Sequence, residues 1–299
     1  MSALVLDGKK LSAMLLDNFR LEIQRYLAKG LRAPTLCMIL VGDHLPSKIY
    51  LARKQKAARY CGIIPFYEQL PASITQPELS SFLKEIQQKE NLDGFILQLP
   101  LPAHLNSRQT LDQLLPEKDI DGLSIVNQGK LAIGAPDILP CTPAGVLKLI
   151  DLAYGLLRGE KNYLDIKEND LSGKSAVVIG RSTLVGKPTA QLLLARNATV
   201  TIAHSHTADL GKVLIDSDII VAAAGSPRLI GANFIKAGAI AIDVGINKLS
   251  NGEIVGDVDY ASVLHNAAAV SPVPGGVGPM TVAMLIANTL KLYKRKFSL

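Results

Sequence analysis

The sequence predicts an α/β protein of two lobes, the second a doubly wound parallel sheet. Three observations carry that expectation. Short apolar strands alternate with amphipathic helices from early in the chain, a proline-led helix at Thr142-Pro143 marks a junction, and a fresh strand-helix series opens at Ser175. A chain of 299 residues accommodates two cores at about 100 to 200 residues per domain. With 48% of its residues apolar and 19% charged, it has the composition of a packed globular protein and not of a disordered one.

In the first lobe, apolar periodicity predicts a helix over Ser12 to Lys29 capped by Ser12, a buried strand over Thr35 to Val41, and a helix over Lys48 to Cys61 closed by Gly62. A strand over Phe66 to Leu70, a helix over Gln76 to Glu90 and a strand over Gly94 to Gln98 follow. Leu99-Pro100-Leu101-Pro102 then takes the chain out of regular structure. This alternation builds a mostly parallel sheet covered on both faces. Thr142 is the expected cap of a helix that begins at Pro143, continues through Ala153 and leads into the second lobe.

Arg158 to Asn169 reads as a polar surface segment. Strands are expected over Ser175 to Gly180, Thr199 to Ala203, Ile219 to Ala223 and Ala239 to Val244, the pattern of a Rossmann-like doubly wound sheet. A last helix, Thr281 to Lys294, follows a Gly/Pro-rich turn and packs back on the first lobe. The expected division is residues 1–145, joined by the C-terminal helix 279–299, and residues 146–278.

The composition argues against several function classes. A net charge of +6 is too diffuse for a nucleic-acid groove, and the cluster Lys291, Lys294, Arg295 and Lys296 suits the C-terminal end of a helix, so no nucleic-acid partner is expected. Met1 to Leu16 places Asp7, Lys9 and Lys10 between short apolar stretches, unlike a signal or transit peptide, and no run approaches the ~18 apolar residues of a membrane helix. A cytoplasmic protein without membrane contact is expected. Cys37, Cys61 and Cys141 show no CxxC pairing and read as small buried apolar residues, so neither a disulfide framework nor a metal site is anticipated.

Val177-Val178-Ile179-Gly180-Arg181-Ser182-Thr183-Leu184-Val185-Gly186-Lys187-Pro188 reads as a buried strand, a tight turn and a helix start. Gly180 lets the backbone turn, Gly186 lets helix and strand approach, and the helix N-terminus offers unpaired N–H groups to phosphate. The loop is one glycine short of the GxGxxG fingerprint and by itself is equally consistent with a structural turn. The following strand strengthens the nucleotide reading. NAD enzymes usually carry an acid there, about 20 residues past the glycine loop, for the ribose 2'-hydroxyl. Here the strand runs into His204-Ser205-His206 with no acid, while Arg181, Ser182 and Ser205 offer a cation and hydroxyls to a 2'-phosphate. NADP is therefore favoured over NAD. The two histidines lack a third ligand and are read as ordinary loop residues.

Tyr50 and Lys54 lie four apart on a predicted helix and share a face. Tyr-x-x-x-Lys also occurs in short-chain dehydrogenases, but there it follows the nucleotide loop, whereas here it precedes it. Further polar groups fall at strand ends: Gln98, Asp121 in Lys118-Asp119-Ile120-Asp121-Gly122, and the turn from Pro272 to Thr281. Asp119 is as readily a turn cap as a functional acid.

Ser47-x-x-Tyr50-x-x-x-Lys54-x-Lys56-Ala57, the Asp93-Gly94 to Pro102 block, Lys118 to Gly122, Pro140-Cys141-Thr142-Pro143, the Gly180 loop, Asp243-Val244-Gly245-Ile246-Asn247 and Pro272 to Thr281 together resemble the bifunctional methylenetetrahydrofolate dehydrogenase/methenyltetrahydrofolate cyclohydrolase family. The blocks follow family order and cover essentially the whole chain. The resemblance implies a cleft between a folate-binding catalytic lobe and an NADP lobe, with the nicotinamide over the N5-CH2-N10 bridge of the folate. It implies NADP-dependent oxidation of methylenetetrahydrofolate, then hydrolysis of the methenyl product to 10-formyltetrahydrofolate, and a homodimer formed through the nucleotide lobe.

On this resemblance Lys54 is the catalytic lysine, Gln98 the residue that positions it, Tyr50 the ring that stacks on the folate, and Asp121 the carboxylate that hydrogen-bonds the pterin. Ser47, Pro274, Gly275 and Gly276 fall with the substrate contacts, and the backbone of Ile246 meets the nicotinamide. A lysine beside a developing cation has a physical reason to release its proton and act as a base toward water. The chain departs from the usual pattern at Ser124-Ile125, where His-Pro is common, at Leu123 for Phe and at Pro46 for Ala. The alternatives are a monofunctional dehydrogenase of the same fold, a silent folate or nucleotide binder, and a shikimate-type reductase. The first two are weakened by the presence of Lys54, Gln98, Tyr50 and Asp121, and the third has no need of the Pro-Gly-Gly-Val-Gly-Pro turn.

Overall fold

The computed structural model describes residues 2–299. In chain order its elements are β1 (Leu4–Val5), α1 (Gly8–Ala28), β2 (Thr35–Val41), α2 (Leu45–Cys61), β3 (Ile64–Leu70), α3 (Gln76–Gln87), β4 (Gly94–Leu97), α4 (Ser107–Leu111), α5 (Ile125–Ala132) and α6 (Cys141–Leu157). They continue with β5 (Ser175–Ile179), α7 (Gly186–Ala195), β6 (Thr199–Ala203), α8 (Leu210–Leu214), β7 (Ile219–Ala222), β8 (Ile240–Asp243), β9 (Asn247–Lys248), β10 (Ile254–Val255), α9 (Tyr260–Val263), β11 (Ala269–Val270) and α10 (Val277–Lys296).

The chain forms two compact units. The first comprises Leu15–Cys141 and Val282–Leu299. Its parallel sheet has the order β3-β2-β4, with Met38 of β2 between Tyr67 and Ile96. All of β2 is buried, as a central strand covered on both faces must be, which explains its apolar run from Leu36 to Val41. Thr75 and Glu78 form a reciprocal capping box at the start of α3, and Gly62 closes α2 at φ 88°, a left-handed conformation suited to glycine. Gly94 is required by packing, because a Cβ there would lie 2.3 Å from the Ile120 side chain. From α10, Asn288 Nδ2 donates to the carbonyls of Ile120 and Leu139, both at 2.8 Å, and so ties down the chain beside Asp121.

The second unit contains the N-terminal segment through Met14 together with Thr142–Thr281. The expected limits had put the N-terminal segment in the first lobe. Instead β1 pairs in parallel with β11 at the edge of a six-stranded sheet of order β1-β11-β8-β7-β5-β6, and a two-residue strand carries too little pattern to reveal this in sequence. Every ladder in the sheet is parallel. Counted from β5, the order runs 2-1-3-4-5, a doubly wound sheet whose winding reverses between β5 and β7.

Two expected caps are corrected. Ser12 lies inside α1, where its hydroxyl donates to Lys9 O at 3.0 Å; Asp7 is the cap, accepting from Lys10 N at 2.8 Å. An ionised carboxylate at the positive end of the helix dipole competes well for that role. Thr142 lies in the first turn of α6, and its hydroxyl sits 3.0 Å from that of Thr281.

Candidate active site

In the first unit, Ser47, Tyr50 and Lys54 recur at i, i+3 and i+7 along α2 and share one face. Ser47 and Lys54 are buried and Tyr50 is half-buried. The hydroxyl of Ser47 is 2.9 Å from His44 Nδ1. Lys54 Nζ donates to Gln98 Oε1 at 3.2 Å, while Gln98 Nε2 donates to Leu99 O at 2.8 Å. The second bond fixes which face of the amide meets the lysine. Among the described residues no carboxylate forms an ion pair with Lys54. With one amide partner, the Lys54 nitrogen remains available to a ligand.

Asp119 and Asp121 divide into two roles. The segment carrying them runs beside β4, where Phe95 N donates to Lys118 O at 2.8 Å. Asp119 is buried and accepts from Ser124 N at 2.7 Å and Asn127 Nδ2 at 3.0 Å, so it holds the turn. Burial pushes its carboxyl above the usual carboxylate range, against the pull of those donors. Asp121 is half-buried, just before Gly122, whose φ of 67° turns the chain. Ser124, one of the departures noted above, caps α5 by accepting from Asn127 N.

Cys141 reaches the same region. Burial pushes its thiol well above its ordinary range, Asp121 and Asp119 push it further, and Lys54 pulls it back. Asp121 and Lys54 thus both act on one buried thiol. Cys141 is nonetheless a buried core residue, as its sequence reading expects. Cys37 and Cys61 are also buried, with thiols pushed up to about 12 by burial, as inert core cysteines would be.

In the second unit, Gly180 has φ 123°, and a Cβ there would lie 2.2 Å from Ala223 O; a Cβ on Gly186 would lie 2.1 Å from Gly180 O. Both glycines are demanded by close backbone approach. Ser182 Oγ accepts from Val185 N at 3.1 Å and Gly186 N at 3.3 Å, so it shapes the turn and keeps its own O–H to donate. Gly180 N donates to Ala203 O at 2.8 Å, which joins the loop after β5 to the end of β6. Arg181 and Ser205 are exposed on these two loops. The first carboxylate past β6 is Asp209, which caps α8 by accepting from Lys212 N at 3.1 Å. The donor set thus suits a 2'-phosphorylated dinucleotide: one arginine, two hydroxyls and no free acid at the strand end.

Ile246 is exposed after β8. Pro274, Gly275 and Gly276 belong to this second unit, unlike Ser47, Tyr50 and Asp121. Gly275 has φ 119° and its carbonyl accepts from Lys9 N at 2.9 Å, while a Cβ on Gly276 would lie 2.7 Å from Pro272 O. Among the described residues no group of three or more His, Cys, Asp or Glu side chains is arranged to hold a metal, and no helix is long and apolar enough to cross a membrane.

Comparison with known proteins matches both units. Residues 6–121 match the model of the tetrahydrofolate dehydrogenase/cyclohydrolase catalytic domain, and residues 140–297 match that of the tetrahydrofolate dehydrogenase/cyclohydrolase NAD(P)-binding domain. The bifunctional protein FolD of Sphingopyxis alaskensis is 45% identical over 303 residues, covering 99% of this chain and 96% of its own. The crystal structure of the bifunctional FolD methylenetetrahydrofolate dehydrogenase/cyclohydrolase from Campylobacter jejuni superposes with a TM-score of 0.91 at 40% identity, covering 99% of this chain and 100% of that one. The Trypanosoma brucei methylenetetrahydrofolate dehydrogenase-cyclohydrolase, crystallised with NADP and an inhibitor, gives 0.89 at 35% identity with full coverage of both chains.

Proposed function

Since the chain belongs to the tetrahydrofolate dehydrogenase/cyclohydrolase family, we propose that it oxidises 5,10-methylenetetrahydrofolate with NADP+ and hydrolyses the resulting methenyl cation to 10-formyltetrahydrofolate. The observation that carries the two-step reading is the buried Lys54, oriented by Gln98 and free of any carboxylate partner among the described residues. In a monofunctional dehydrogenase of the same fold the lysine would no longer drive hydrolysis, and the presence of Lys54 with Gln98 weighs against that alternative.

The first unit binds the folate. Tyr50 stacks on it, Asp121 accepts hydrogen bonds from the pterin, and Ser47 lines the same face of α2. NADP, when bound, supplies the hydride acceptor. Gly180, Arg181, Ser182 and Ser205 would hold its phosphates, and the Ile246 backbone would meet its nicotinamide end. Loss of hydride leaves the bridging carbon cationic. The Lys54 amine then takes one proton from the water that attacks this carbon; the carbinol so formed gives up its hydroxyl proton as the C=O bond forms, N5 is protonated as the carbon–N5 bond breaks, and the formyl group remains on N10. Gln98 holds the lysine along that line of approach.

NADP preference over NAD is supported by Arg181 and by the absence of a free acid after β6. A cytoplasmic homodimer without a nucleic-acid partner completes the reading. The dimer would form through the second unit, where the edge strand β6 leaves Ile202 exposed; sedimentation equilibrium tests it. The function is tested by supplying methylenetetrahydrofolate and NADP+ and following NADPH and the methenyl absorbance. Growth of NADPH with a transient methenyl signal is expected. A methenyl product that accumulates to the full NADPH yield would reduce the protein to a dehydrogenase.

A further inference from the structure

The reversal in strand order lies between β5 and β7, so the loops that follow these strands flank the crevice where doubly wound sheets take their ligand. The loop after β7 is held by one side chain. Asp257 is fully buried: its Oδ2 accepts from Ala224 N at 2.6 Å and Gly225 N at 2.9 Å, and its Oδ1 accepts from Ser226 N at 2.9 Å and Asn247 Nδ2 at 2.8 Å. Successive N–H groups converging on an anion form a nest, of the kind that elsewhere binds phosphate. Here the protein's own carboxylate fills it. Through Asn247 the same carboxylate also anchors the segment after β8, directly beside Ile246.

Asp257 is itself held by a second buried acid. Asp243, at the end of β8, accepts from Gly245 N and Asp257 N at 2.9 Å on Oδ1 and from Val258 N at 2.8 Å on Oδ2. Two glycines leave room for the pair: a Cβ on Gly245 would lie 2.2 Å from Asp257 Oδ1, and one on Gly256 would lie 1.8 Å from Asp243 Oδ2. Neither acid pairs with a Lys, Arg or His among the described residues. Burying charge without a cation is costly. Only an ionised carboxylate accepts four donors at once, whereas an amide would turn an NH2 group into the nest.

We propose that Asp257 is a positioning residue for hydride transfer, fixing the loops after β7 and β8 that face the nicotinamide half of the dinucleotide. The inference rests on the NADP reading above. With the adenosine 2'-phosphate at the end of β6 and the pyrophosphate at the Gly180 loop, the dinucleotide extends toward β7 and β8, and Asp257 acts on it without touching it.

The test is Asp257→Asn in the full-length enzyme, beside Val263→Ala, a buried core change in the same unit that serves as a stability control. Asp257→Asn should lower dehydrogenase kcat by about 30-fold or more, since slight misplacement of reacting atoms has effects of that order. The Michaelis constant for NADP, inhibition by adenosine 2',5'-bisphosphate and hydrolysis of methenyltetrahydrofolate should each stay within about threefold of the parent. Val263→Ala should leave kcat nearly unchanged at a comparable loss of Tm.

An unchanged kcat, an equal loss in Val263→Ala, or weakened binding of the bisphosphate overturns the proposal. If Asp257→Asn does not fold, Asn247→Ala decides: removing a single anchor should cost about fivefold in kcat, and no loss overturns the proposal. A parent enzyme that does not reduce NADP at all would instead defeat the underlying functional reading.

Discussion

Lys54 in the first unit and Asp257 in the second are both buried charged groups, yet they are held in opposite ways. Lys54 has one amide partner at 3.2 Å, whereas Asp257 accepts four hydrogen bonds of 2.6 to 2.9 Å. A group that must bind a ligand or move a proton has to keep hydrogen-bonding capacity unspent, and that capacity is used only when substrate arrives. A group that fixes backbone does best when every lone pair is occupied, because its value lies in permitting one loop geometry. On the function proposed above, degree of saturation separates reacting from supporting charges in this protein. It makes the same distinction within one turn, between the buried Asp119 with its backbone and amide donors and the half-buried Asp121.

The largest expected effect comes from removing the unsaturated group. Lys54→Met should lower cyclohydrolase turnover by about 10^3-fold, the scale of a lost general base, while NADP binding persists. Near-normal hydrolysis of methenyltetrahydrofolate by this variant would end the assignment of Lys54 as the base. Next is Asp121→Ala, which should weaken folate binding by roughly 100-fold and leave NADP affinity unchanged, as titrations with each ligand will reveal. If the folate affinity does not move, Asp121 is a turn residue like Asp119.

A smaller effect is expected at Arg181. Replacing it with alanine should raise the Michaelis constant for NADP by about 10-fold and leave that for NAD nearly unchanged, since only the 2'-phosphate contact is lost. Equal effects on both dinucleotides would place the arginine elsewhere on the cofactor.

The last effect is on stability and not on activity, and it concerns one of the saturated acids. Burial raises the Asp243 carboxyl from 3.8 to about 6 against its N–H donors. Its proton is then bound more tightly in the folded than in the unfolded chain. The resulting stabilisation is fully present below pH 3.8 and is lost as pH rises through about 6, amounting to ~3 kcal/mol at most. Urea unfolding of the parent and of Asp243→Asn between pH 4 and 7 measures this, and parallel pH slopes for the two proteins would remove Asp243 as its source.

Much of the scaffold was legible in sequence because it depends on local periodicity. Strands β2 and β6 fall at the expected limits, and the close of α2 at Gly62 follows from a left-handed turn that glycine adopts at little cost. The helix starts were less legible. Asp7 rather than Ser12 caps α1, and α6 begins at Cys141, because each choice is settled by which polar group lies nearest the first N–H groups in three dimensions. The short strands β1 and β11 were missed, since two residues carry no period and their pairing is entirely long-range. The site divides in the same way. Spacing on α2 brought Tyr50 and Lys54 together, but nothing local linked Lys54 to Gln98, or Asp257 to Ala224 and Asn247.

The sequence alone thus determined the α/β class, the shared face of Tyr50 and Lys54 and the glycine turn at Gly180, because each depends on periodicity or on the backbone freedom of single residues. The family blocks supplied the expected chemistry. Only the tertiary structure decided which acids support and which remain available, which residues complete the six-stranded sheet, and what holds the loops after β7 and β8. Those outcomes depend on burial and on hydrogen bonds between residues far apart in the chain, and no local pattern encodes them.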